Sequence, residues 1–332
     1  MTVPDRKRTA RRLALGLLLL GVLAVVVLVA GTEWGGLLAA FTRLGLGGFA
    51  LILALHCLLI ALMGWAWAQL GGASALAFLR ARLLRDGAAE VLPLSQLGGF
   101  VLGGRALVLA GATPGFAAAA TIVDVTLELV AQLGYTAIGL ALLVWLNPSS
   151  RLAVPALAAI LAMALLVAGF AVVQARGAGP AARAVLRFAR MAGLLDDSAA
   201  PQTAEDSLQS RLTALHAAPR RLAACLALHL ASWLLVGAET WLICHLLGAP
   251  IALSAALVID SLLSGLRSAA FMVPQSMGVQ EGGYMLLGAQ FGLSPEIALA
   301  LSLTRRARDL VIGAPVLLVW QIAEGRRALR RG

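Results

Sequence analysis

The sequence predicts an all-α, polytopic membrane protein, on three observations. Of its 332 residues, 61% are hydrophobic and only 13% are charged. Apolar runs of 18 or more residues recur from end to end, each long enough to cross a hydrocarbon core about 30 Å thick. Ten-residue alternating segments, the mark of a membrane β-barrel, do not occur. The net charge of +10 sits in short loops, termini and a few helix interiors, without a nucleic-acid motif. It therefore reads as a topology signal, with anionic lipid headgroups as partners. Cys57, Cys225 and Cys244 fall in apolar segments, so no disulfide is expected. His56, His216, His229 and His245 have no ligand spacing, so neither a metal nor a cofactor is expected.

The elements follow in order, within a single membrane domain over 1–332. Arg6, Lys7, Arg8, Arg11 and Arg12 precede an apolar run over 13–30, read as an uncleaved first crossing. A second helix covers 44–70, with Trp65 and Trp67 near its inner end as an aromatic belt and His56 within it, hydrogen-bonded to a neighbouring helix. Residues 72–92 are amphipathic, carrying Arg80, Arg82, Arg85, Asp86 and Glu90. Then Pro93, Gly98 and Gly99 form a helix break, followed by Arg105 in apolar surroundings. Thr113-Pro114 starts a helix that ends at Asn147-Pro148. Asp124 and Glu128 share one face of it, and Asp124 lies ~15 Å from its start, near mid-membrane. Residues 152–174 cross again. The stretch 175–221 is a cytoplasmic interfacial linker, with Arg183, Arg187 and Arg190 on one helical face and a solvated section from Asp196 to Gln209.

The second half repeats this plan. Residues 222–247 carry Glu239, and 251–273 carry Asp260 and Arg267. Pro274 and Gly278 make a second break, with Glu281 just past it. Ser294-Pro295 restarts a helix that holds Arg305, Arg306, Arg308 and Asp309. An Arg, Asp or Glu at membrane depth costs about 2.5–3.5 kcal/mol, so a chain that keeps five of them there uses them. Trp34, Trp145 and Trp320 read as interface anchors. The two halves match by offset: Pro93 and Pro274, Pro114 and Pro295, Asp124 and Arg305, and Glu128 and Asp309 all stand 181 residues apart. Ala54-Leu55-His56 and Ala227-Leu228-His229 also correspond. Repeats over 44–146 and 222–323 result.

Arginine-rich termini and linker place all three on the cytoplasmic side. Six plain crossings (13–30, 47–70, 114–146, 152–174, 222–247 and 295–323) satisfy that. The two Pro/Gly-broken hairpins, 72–111 and 251–292, then enter and leave on one side, either re-entrant or as paired crossings. The repeats come out inverted, the recurring build of secondary transporters.

LPLSQLGG with Arg105, and VPQSMGVQEGG with Glu281, resemble the two signatures of the lysylphosphatidylglycerol-synthase transmembrane, or flippase-like, family over residues 10–325. TIVDVTLE and TRRARD are most similar to its hopanoid-associated branch. The resemblance implies a protein of the bacterial inner membrane that moves lipids, hopanoids in that branch, with lipid-pathway enzymes as further partners. The synthase domain of the lysyl-transferring members does not follow here, so no enzyme activity is implied.

These readings combine into one expected mechanism. Asp124 and Glu128 face Arg305, Arg306, Arg308 and Asp309 across a pseudo-two-fold axis, Arg105 and Glu281 line the path, and the halves rock to pass a headgroup across. One alternative is a membrane-embedded lipid or prenyl transferase, since D-x-x-x-E is a magnesium-pyrophosphate pattern; such sites need several converging carboxylates, and the matching helix offers arginines. The other is a non-transporting partner that stabilises lipid-pathway enzymes and would tolerate loss of the midplane charges; a separate reading has the charges only lock the halves together. Buried pairs add little net stability, which argues against that role.

Overall fold

The computed structural model describes residues 34–91, 95–175, 201–270, 273 and 276–331. The first crossing (13–30), Pro93, Pro274 and the linker arginines Arg183, Arg187 and Arg190 lie outside the described residues. Those described form ten helices without a strand: α1 (Trp34–Ala68), α2 (Ala75–Val91), α3 (Ser95–Leu109), α4 (Pro114–Leu146), α5 (Ala153–Ala175), α6 (Pro201–His216), α7 (Pro219–Leu246), α8 (Leu253–Ala269), α9 (Val279–Ala289) and α10 (Pro295–Arg331). This is a helical membrane protein. α1, α4 and α7 are each long and apolar enough to cross a bilayer. Large apolar side chains such as Leu46, Leu165, Trp145 and Val154 are exposed on the outside, as a lipid-facing surface requires.

Local chemistry sets the boundaries. Thr113 caps α4, its hydroxyl accepting from the Phe116 N–H at 3.3 Å, and Pro114 occupies the first turn, where no intrahelical donor is needed. In α1, Gly45 takes φ +58°, so Trp34–Ala68 is two helices joined at a kink, and the second begins where the apolar run does. Gly278, at φ +78°, breaks the chain ahead of α9 as expected. Gly98 and Gly99 do not break theirs: both lie inside α3. A Cβ on Gly99 would stand 2.5 Å from the Arg85 carbonyl oxygen, so this glycine lets α2 and α3 pack at backbone distance. At 1.5 Å per residue, the 11 residues of α9 span about 16 Å, roughly half a hydrocarbon core.

Among the described residues, two large apolar cores hold most of the helices together. One gathers Trp67, Phe78, Leu107, Val123, Leu208 and Leu212. The other gathers Leu44, Ile52, Leu143, Ile243, Ile259 and Leu301. Two expectations are corrected here. Residues 201–209 are not open linker but the start of α6, whose Leu208, Leu212 and Leu215 are buried against α4 and its neighbours; their i, i+4, i+7 spacing was masked by the polar residues between. Trp67 is no interface anchor either. It is fully buried and donates to the Ala120 carbonyl at 3.2 Å, while Trp65 is the exposed member of the pair.

The packing is reciprocal. α4 packs on α7 and α8, and α10 packs on α1 and α2. Between them, α1 and α7 pack directly on each other.

Candidate functional site

Among the described residues, the buried charged side chains of the helices gather mainly in two networks. The first is built on α4. Asp124 is fully buried; its Oδ2 accepts from Arg85 Nη1 of α2 at 2.7 Å, and its Oδ1 lies 2.9 Å from His229 Nε2 of α7. One turn on, Glu128 accepts from Arg82 Nη1 and Nη2 at 2.9 and 2.8 Å and from Arg85 Nη2 at 2.6 Å. Arg82 Nε reaches Asp86 at 2.8 Å. The Arg85 guanidinium also sits over the Phe100 ring, 4.6 Å from its centroid. The four-residue spacing of Asp124 and Glu128 puts both on one face, and the three-residue spacing of Arg82 and Arg85 sets the matching face opposite.

The second network is built on α10. Arg305 Nη1 donates to Asp260 Oδ1 of α8, to the Tyr284 hydroxyl of α9 and, at 3.0 Å, to the Thr240 hydroxyl of α7. Tyr135 of α4 and Thr240 complete the Asp260 shell at 3.1 and 2.9 Å. Arg306 Nε and Nη2 hold Glu281 at 2.6 and 3.1 Å; the same carboxylate takes the Gly278 N–H at 2.8 Å and the Ser302 hydroxyl at 2.9 Å. Arg308 bonds Glu239 of α7 through Nη1 and Asp309 through Nε and Nη2. His56 of α1 stands 3.2 Å from Glu239 and 3.8 Å from Asp309. At the edge, Arg267 meets Glu90 of α2 at 3.6 Å.

Asp124 and Glu128 therefore do not face the arginines of α10. The acids are taken by α2 and α7, and the arginines by α7, α8 and α9. Arg105 does not join Glu281: it donates through Nε to Glu324 at 3.0 Å. Near the end of α10, past the 295–323 crossing that the sequence predicts, burial raises the Glu324 carboxyl, but hydrogen bonds from Arg105 and Arg327 outweigh it and hold the group below the usual carboxylate range. The sequence singled out neither Arg82 and Arg85 nor His229 as site residues, because on an amphipathic helix two arginines look like a solvated face and a lone histidine like ordinary core. The signal that finds them is the pairing of spacings on α2 and α4.

Among the ion pairs of the described residues, carboxylates outnumber guanidiniums in both networks. Arg82 and Arg85 meet three carboxylates, Asp86, Asp124 and Glu128. Arg267, Arg305, Arg306 and Arg308 meet five: Glu90, Glu239, Asp260, Glu281 and Asp309. In each, a histidine makes a further contact to an acid that an arginine already holds, His229 to Asp124 and His56 to Glu239. Asp124, Cys225 and His229 offer ligand atoms within 4.8 Å of one another. Two guanidiniums next to them make that spot electrostatically poor for a cation. A cavity of about 240 Å³ lies elsewhere, between Arg43 of α1 and Glu296 at the start of α10, and none of its lining residues belongs to either network.

The family model described as "Lysylphosphatidylglycerol synthase TM region" matches residues 13–316. No curated protein and no solved structure matches the chain.

Proposed function

The chain belongs to the family of lysylphosphatidylglycerol synthase transmembrane regions, and from that premise we propose that it is a lipid transporter of the bacterial inner membrane, with hopanoids as the candidate cargo. It moves lipid between leaflets, or toward the outer membrane, and carries out no chemistry on it. Family membership supports a membrane lipid-related role. The observation that carries the transport reading is the pair of buried ionic networks, each tying helices from both halves of the chain. Asp124 of the first half is held by His229 of the second, and Asp309 of the second half lies beside His56 of the first.

That exchange supports an inverted repeat. Positions 181 apart (Asp124 and Arg305, Glu128 and Asp309) sit on α4 and α10, and α4 packs on α7 and α8 as α10 packs on α1 and α2. The arginine-rich ends and linker support cytoplasmic termini. The shortness of α9 supports a re-entrant second hairpin. In this reading the networks lock the halves in one arrangement, and a headgroup moves by exchanging their ion pairs for its own. Buried pairs contribute little net stability, so pairs of this number are better explained by exchange than by bracing.

The test is reconstitution into liposomes with labelled lipids, hopanoid and phospholipid in separate arms, comparing the parent protein with Glu281→Gln and Asp124→Asn. Transport by the parent and a loss of roughly tenfold or more in both variants is expected, each removing charge-assisted hydrogen bonds of ~1.5–3 kcal/mol. Variants that insert normally and move lipid at the parental rate would exclude the networks as the site.

A further inference from the structure

The 181-residue correspondence makes the crossing of α2 with α10 the counterpart of the crossing of α8 with α4, and the two crossings are built from opposite chemistry. At the first, Gly87 meets Gly313: a Cβ on Gly87 would stand 3.1 Å from the Gly313 Cα and 3.4 Å from its carbonyl oxygen. The residues in the matching places are Ser268 and Gln132. There Gln132 Nε2 donates to the Ser268 hydroxyl at 2.6 Å and to the Ser264 carbonyl at 3.0 Å. Beside them Tyr135 donates to Asp260 at 3.1 Å, and a Cβ on Gly139 would fall 1.7 Å from the Ser261 hydroxyl oxygen. One crossing is backbone on backbone with no side chain at its centre. The other is keyed by directional bonds and a tight fit.

The apolar neighbours reinforce the contrast. Around Gly87 and Gly313 the contact is made by Leu84, Ala88 and Leu317, with Val316 and Trp320 packed against them. Non-directional contacts of this kind survive a slide of one helix along another. Two residues past Gly313, Pro315 lies inside α10; it has no N–H for the Val311 carbonyl, so the helix is one backbone bond short there and bends at lower cost. The corresponding residue of α4 is Gly134, which keeps its N–H. One turn beyond Gly87, Glu90 stands 3.6 Å from Arg267, so a slide at this crossing would change a contact of the second network directly.

We propose that the α2–α10 crossing at Gly87 and Gly313 is the moving joint of the molecule, with α10 flexing at Pro315, and that the α4–α8 crossing at Gln132 is the fixed one. The inference takes the correspondence of the two halves from the proposed function. It is measured without a lipid assay, so a failure of the joint and a failure of transport are separate results.

The experiment is pulsed electron paramagnetic resonance on the full chain in phospholipid nanodiscs, with Cys57 replaced by serine and nitroxide labels at exposed positions. Labels at Leu76 and Ile322 report the α2–α10 crossing, and labels at Trp145 and Leu253 the α4–α8 crossing; all four residues are exposed. The first pair is expected to give two populated distances or one broad distribution, which Pro315→Ala narrows to a single peak. The second pair is expected to give one narrow peak that Pro315→Ala leaves unchanged. A single narrow peak for both pairs, or the broader distribution at Trp145 and Leu253, would overturn the assignment.

Discussion

His229 Nε2 lies 2.9 Å from Asp124 Oδ1, and the other oxygen of the same carboxylate takes Arg85 Nη1 at 2.7 Å. An acid on α4 is thus clasped from α2 on one side and from α7 on the other, with no part of it open to solvent. Helices far apart in sequence are joined at this one group, and its removal should be felt in all three.

Asp124→Asn is expected to destabilise the fold by about 3–5 kcal/mol, because it removes a buried carboxylate charge from Arg85 Nη1 and from the imidazole and leaves Arg85 with Glu128 alone. Thermal unfolding in detergent reads it as a lower midpoint. The double change Asp124→Leu with Arg85→Met should recover only part of the loss, since it removes one charge pair but takes a contact from His229 and from Glu128. A single variant as stable as the parent would show that the clasp contributes nothing.

Arg308 and Glu239 are joined directly between α10 and α7. A double-mutant cycle with Arg308→Met and Glu239→Gln should give a coupling of about 1–3 kcal/mol, in the range of side chains sharing one network. Strictly additive effects on the unfolding free energy would mean that the pair does not act as a unit.

Gly139→Ala is expected to cost about 1–3 kcal/mol through overpacking, since the added carbon has no room beside Ser261. Gly134→Ala lies on the same helix, with its nearest neighbour, Leu230, 3.8 Å from the new carbon; it should be neutral or slightly stabilising by helix propensity. The difference between the two midpoints is the measurement, and equal midpoints would refute the tight α4–α8 contact.

Trp67→Phe should lose about 1 kcal/mol, the net worth of its buried bond to the Ala120 carbonyl, plus some packing against Phe78, whose ring centroid is 5.5 Å away. Trp65→Phe, at an exposed position, should leave the unfolding midpoint within experimental scatter. The reverse order would return Trp67 to the interface.

Much of the architecture was legible from local chemistry. Thr113-Pro114 and Ser294-Pro295 mark helix starts because a hydroxyl acceptor and a missing donor are useful only there, and α4 and α10 begin at Pro114 and Pro295. Gly278 marks a real break because its positive φ has nowhere to go inside a helix. Gly98 and Gly99 misled because glycine serves two purposes, unwinding a helix and letting another one close in, and only the position of α2 distinguishes them. α6 was missed in the same way, since its three buried leucines become a core face only once α4 is beside them.

The sequence by itself determined that acids and arginines would stand inside α4, α7, α8 and α10, because hydropathy and helical spacing are properties of a single segment. Which acid meets which arginine was decided by the tertiary structure alone. Opposite charges attract at any separation in the chain, so composition is equally compatible with α4 pairing across to α10 and with each turning to its own neighbours. The close approaches at Gly99 and Gly139, and the reach of Arg82 and Arg85 from α2, select the second arrangement. A guanidinium must come within about 3 Å of its carboxylate to offset its desolvation, and backbone packing sets which ones can.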